Sequence, residues 1–106
     1  DNNEQGILSF VRKATDGSAV LCVLNFRPES HESFRLGVPF AGAWQEILCS
    51  DDTRFGGSGK TNPRRLHTKK VPSHGREQSL VFTVPPLGGT LIKYIGETTH
   101  ARKRRV

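Results

Sequence analysis

The segment Gly59-Lys60-Thr61 has the residue types that close a phosphate-binding loop, where backbone amides and a lysine hold the anion. That motif also needs a glycine five positions before Gly59, and Arg54 stands there. It needs a following helix whose N-terminus faces the phosphate, but Pro63 and the basic stretch after it carry no amphipathic period. Nucleotide binding is therefore excluded. Metal ligands come in closely spaced pairs, whereas His31, His67, His74 and His100 are scattered and Cys22 and Cys49 lie 27 positions apart. No metal and no cofactor is expected. His74, in Ser73-His74-Gly75-Arg76, reads either as a turn residue whose ring satisfies a backbone group or as a ligand or base. Glycoside cleavage uses two carboxyls about 5–10 Å apart across a sugar. Glu46, Asp51 and Asp52 are the nearest grouping, and adjacent aspartates at a strand end suit loop amides better. Serines are plentiful without a nucleophile elbow. No catalytic residue is expected in this chain.

Sugar binding remains as a chemistry these residues would support. Aromatic faces pack on sugar C–H groups, and planar polar groups bond the hydroxyls. The candidate substrate-binding residues are Trp44, Phe55, His74 and Arg76. Trp44, the only tryptophan, sits either on the outer side of its strand or in the core of a sandwich. Phe55 is either a platform at a loop tip or an anchor for that loop. The glycines beside it, Gly56, Gly57 and Gly59, permit positive φ and close backbone approach in both cases.

Strands must position these groups. Apolar residues recur with period two or in continuous runs, with no sustained helical stripe. Strands are expected at residues 7–11, 19–26, 33–38, 43–48, 79–84 and 90–95, with a short edge strand at 68–71. The run over 19–26 is apolar on both faces, which predicts a central strand covered on both sides. Asp16-Gly17-Ser18, Pro39 and Ala41-Gly42 turn the chain, as do Pro85-Pro86 and Gly88-Gly89. The pattern predicts an all-β fold, an antiparallel β-sandwich of about seven to eight short strands.

The 106 residues suffice for one domain. The expected limits are a sandwich over 1–97 and a basic, disordered tail over 98–106. Methionine is absent even at position 1, so the chain reads as a piece of a larger protein. The net charge is +6, but Arg102, Lys103, Arg104 and Arg105 carry four of it, and terminal runs usually stay solvated. The other basic cluster, Arg64-Arg65-Leu66-His67 with Lys69-Lys70, contains no stacking aromatic. No nucleic-acid partner is expected. No apolar run reaches membrane-spanning length, so no membrane partner is expected either. Two reduced thiols and no export signal point to the cytoplasm.

Several phrases occur in order: Val23-Leu24-Asn25-Phe26 with Pro28, Phe34-Arg35-Leu36-Gly37-Val38-Pro39, Gly42 through Leu48, and Ser50-Asp51. They continue with Phe55-Gly56-Gly57-Ser58-Gly59, Asn62, His74-Gly75-Arg76, Ser79-Leu80 and Thr83-Val84-Pro85-Pro86-Leu87. Together they resemble the C-terminal all-β domain of 1,4-α-glucan (glycogen) branching enzymes, within the α-amylase superfamily. The likeness covers residues 7–94. Phe34 and Phe55 stand where the family often has tyrosine, Pro63-Arg64-Arg65 replaces a glycine-richer stretch, and residues from 98 onward have no counterpart.

The resemblance implies a non-catalytic support domain. Its partner is the catalytic (β/α)8 barrel of the same parent chain, with α-glucan (glycogen) as a further surface partner. The parent cuts an α-1,4 bond and transfers the chain to a glucose 6-hydroxyl, with its carboxylates all in the barrel. Gly56, Gly57, Ser58, Gly59, Asn62, His74 and Gly75 are the expected interface residues. A free-standing carbohydrate-binding module using Trp44 and Phe55 is the alternative.

Overall fold

The computed structural model describes residues 6–96; the expected boundary at 97 and the basic tail lie outside them. The strands are β1 (Ile7–Lys13), β2 (Ala19–Asn25), β3 (His31–Val38), β4 (Ala43–Cys49), β5 (Leu66–His67), β6 (Gln78–Val84) and β7 (Gly88–Gly96). They form an antiparallel sandwich, with one sheet in the order β1-β2-β7-β4-β5 and a two-stranded sheet β3-β6. Among the described residues the one helical element is a single 3-10 turn at Thr53–Phe55.

Period-two side-chain alternation builds the core. In β2, Ala19, Leu21, Val23 and Asn25 are buried while Val20, Cys22 and Leu24 are half-buried on the other face. The smaller sheet answers with Phe34, Leu36 and Val38 from β3 and Leu80, Phe82 and Val84 from β6. Phe34 and Phe82 meet edge to face with centroids 5.8 Å apart, a geometry favoured by the ring quadrupoles. Trp44 closes the far end. Its indole is fully buried, lies 5.1 Å from the Tyr94 ring and donates Nε1–H to the Phe40 carbonyl at 3.2 Å.

The β4–β7 pairing shifts register at Ala43/Trp44 and at Glu46/Leu48, and the second shift, which leaves Ile47 unpaired, breaks the alternation in β4. Ala43 and Trp44 are consecutively buried, and Ile47 and Leu48 are consecutively exposed. A polar bridge spans the sheets nearby. The Glu46 carboxylate accepts from the Asn62 amide group, the Asn62 backbone N–H and the Thr90 hydroxyl at 2.6–3.0 Å. The Asn62 side chain also bonds both the N–H and the C=O of Thr83 in β6, as a paired strand would.

Three expectations change. The edge strand lies at Leu66–His67, not 68–71, because Leu66 supplies the inward apolar side chain opposite Trp44. Lys69 instead exchanges two backbone hydrogen bonds with Ser79 of the other sheet. Gly88-Gly89 does not turn the chain but opens β7; a Cβ on Gly89 would lie 2.6 Å from the Val23 carbonyl oxygen. Finally, among the described residues β2 is covered on one face only, and its other apolar face is left open.

Candidate functional site

The open face of the five-stranded sheet divides along the strands. One transverse row is apolar, with Phe10 beside Cys22, Cys22 beside Leu91 and Leu91 beside Leu48. The next row toward the chain's entry at Ile7 places Leu8 beside Leu24 and Leu24 beside Gly89. The row on the opposite side is polar, with Arg12 and Lys93 flanking Val20 and Gln45 beside Lys93. The apolar half forms a shallow groove of about 450 Å³ lined by Cys22, Leu24, Leu48, Phe55, Gly89 and Leu91, among others. Large exposed apolar side chains gathered on one face mark a contact surface, whereas single scattered ones do not.

The glycine-dense loop supplies one lip of this groove. Asp52 caps the 3-10 turn, accepting from the Arg54 N–H at 2.9 Å. Gly56 closes it at φ 83°, donating to the Thr53 carbonyl. Asp51 organises the rest, since its carboxylate accepts from Ser58 N–H, Ser58 Oγ–H and Lys60 N–H at 2.6–3.1 Å. The amides that a phosphate-binding loop would offer its ligand are thus taken by the chain's own aspartate. A Cβ on Gly57 would sit 2.2 Å from the Asp51 carbonyl oxygen, so the coil closes only with glycine there. It holds Phe55 over the groove at 57% exposure, with the Arg54 guanidinium 5.2 Å from the ring centroid.

The Ser58 hydroxyl, then the Lys60 and Ser58 amides, hold the Asp51 carboxyl below its ordinary 3.8. A carboxyl lowered in the folded state contributes fully above its unfolded value, and loses that contribution as pH falls through the folded one. The Ser58 and Lys60 amide resonances should therefore hold steady from pH 7 to about 5 and move only below about pH 4. Asp51→Asn should abolish that low-pH response in an NMR titration. Behind the loop, burial pushes the Cys49 thiol up, and its sulfur lies 3.5 Å from the Lys60 carbonyl. That environment disfavours the reactive thiolate.

The other sequence candidates lie elsewhere. Trp44 is corrected outright as a sugar platform: no part of its indole reaches solvent, because it stands opposite Tyr94 and Leu66 on the core side of the sheet. Asn62 is the inter-sheet bridge and not an outer contact. His74 and Gly75 are the central pair of a tight turn, at φ 50° and 77°, closed by Ser73 and Arg76 exchanging backbone hydrogen bonds. Positive φ at both positions is the mark of a type I′ hairpin. The His74 Nδ1 accepts from the Gly37 N–H at 3.3 Å. Gly37 lets the turn approach, as a Cβ there would meet the Ser73 carbonyl oxygen at 1.9 Å. His74 and Arg76 line a separate cleft of about 310 Å³ beside β1, with Lys13 and Phe10. The loop and the turn therefore serve two different clefts.

Cys22, Leu24, Leu48 and Leu91 were not singled out from sequence. The doubly apolar run over Val20–Leu24 was the signal for Cys22 and Leu24, whereas Leu48 and Leu91 lie outside it.

An antiparallel sandwich with these sheets and loops defines a class, and comparison agrees. The model of the α-amylase C-terminal all-beta domain matches residues 1–95, and the chain belongs to that family. It is 48% identical over 87 residues to the 1,4-alpha-glucan branching enzyme GlgB of Aromatoleum aromaticum, covering 82% of this chain and 14% of that protein. The GlgB enzymes of Methylobacillus flagellatus and Desulfitobacterium hafniense are 44% and 47% identical, over 87% of this chain and 13% and 15% of theirs. The chain thus spans about one seventh of the length of these curated relatives.

Proposed function

We propose that this chain is the non-catalytic C-terminal support domain of a glycogen branching enzyme. In this reading it docks on the parent's catalytic barrel through the open face of the five-stranded sheet. The observation that carries it is the apolar groove from Cys22 to Phe55, contiguous apolar surface on a domain that makes up one seventh of its relatives. Burying it returns roughly 25 cal/mol per Å² of apolar area. The parent would cleave an α-1,4 glucan bond, hold the glycosyl group on a barrel carboxylate and pass it to a glucose 6-hydroxyl. A cytoplasmic setting suits the free thiols Cys22 and Cys49. The carbohydrate-module alternative paired Trp44 with Phe55, and the burial of Trp44 removes half of that pair.

Cys22 offers the test, being half-buried and in the groove. Maleimide labelling of the Cys22 peptide, followed by mass spectrometry, should be at least roughly tenfold slower in the full-length polypeptide than in this 106-residue chain. Equal rates in the two would refute docking through this face.

A further inference from the structure

Leu87 combines two unfavourable features. It carries a side chain at φ 44°, in the left-handed region that penalises a Cβ, and it is 70% exposed. Phe26, 64% exposed, lines the same recess of about 210 Å³ with Leu24, Asn25 and Gly88. Strain held by its surroundings at an exposed apolar residue is a reason to look for function there.

The surroundings do hold it. Asn25 is 2% exposed, and its amide nitrogen donates to the Glu29 and Pro85 carbonyls at 2.9 and 3.0 Å. Its side-chain oxygen accepts from the Arg27 N–H at 3.0 Å. The Leu87 N–H then bonds the Arg27 carbonyl at 2.9 Å. One buried asparagine thus ties the loop after β2 to the loop before β7, and sets Phe26 and Leu87 as two neighbouring prongs.

Their place in the fold selects an occupant. Phe26 N–H bonds the Gly6 carbonyl at 2.9 Å, so the prongs flank the point where the chain enters the sandwich. The family is a C-terminal domain and most of each relative lies outside the matched segment, so the body joined at that point is the preceding domain. Leu24 lines both this recess and the larger groove, making the apolar surface continuous.

We propose that Phe26 and Leu87 are the anchor of this domain on the domain preceding it, seated in an apolar pocket there, with Leu87 held strained for that purpose. This rests on the support-domain reading above and adds the residues that fix the orientation.

Leu87→Gly separates anchoring from folding because the two should respond in opposite directions. In the 106-residue chain glycine relieves the positive φ, so the melting temperature should hold within about 2 °C or rise. In the full-length polypeptide the loss of a seated leucine should speed Cys22 labelling about tenfold. Leu48→Lys, on the sheet face itself, is the parallel arm. Acceleration by Leu87→Gly with an undiminished melting temperature supports the anchor, whatever Leu48→Lys does. Acceleration by Leu48→Lys alone overturns the anchor and leaves docking through the sheet standing. No acceleration by either variant overturns both. A lower melting temperature of the Leu87→Gly chain also overturns the anchor, since Leu87 would then serve its own domain's packing.

Discussion

Trp44→Ala should destabilise the 106-residue chain by about 3–5 kcal/mol, the range for emptying a large buried aromatic site. Trp44 is fully buried, stacks beside Tyr94 and pairs across its strand with Leu66. β5 has only two residues, and Leu66 is its one buried side chain, so its packing depends on the indole. Domains of this size unfold with only about 5–15 kcal/mol in hand. A midpoint drop on the order of 15–30 °C is therefore expected in a thermal melt followed by circular dichroism. Trp44→Phe should lose far less, about 1–2 kcal/mol, because it keeps a ring but gives up the hydrogen bond to Phe40. A near-neutral alanine variant would place the indole outside the core. Such a result would restore the sugar-platform reading of this residue.

Asn62→Ala is the second large effect, expected at about 2–3 kcal/mol. Its side chain serves both backbone groups of Thr83 and donates to Glu46, so alanine leaves both Thr83 groups unpaired and takes one of three donors from Glu46. The larger penalty comes from groups left unpaired and half-buried, more than from the bonds themselves. Asn62→Asp should be no milder, since a carboxylate there cannot donate and faces that of Glu46. In a double-mutant cycle, Asn62→Ala and Glu46→Gln should couple by about 0.5–3 kcal/mol. Additive losses would mean that the two residues stabilise the sandwich separately. Phe55→Ala is the control: it is exposed and should leave the melt of the chain nearly unchanged.

The fold was legible because strand signals are local. The continuous apolar run over 19–26 and the Asp16-Gly17-Ser18 turn before it each act within a few residues. The loop glycines were legible too, since a backbone that must turn back on Asp51 admits little else. The site was less so. Asn62 and His74 stood out by type and phrase, yet type does not say whether a polar group faces a partner domain or its own backbone. Both bond backbone groups far away in sequence, at Thr83 and Gly37.

The order of hydrophobic and turn-forming residues determined, without further help, that this chain is an antiparallel all-β sandwich. Tertiary structure alone decided the faces of Leu48 and Cys49, because the bulge at Ile47 inserts one residue and reverses what lies beyond it. It also decided that the second apolar face of β2 stays open among the described residues, since the opposing sheet packs on one face only and a third layer would be needed for the other. The number of layers is set by pairing between distant segments, and no local pattern encodes it.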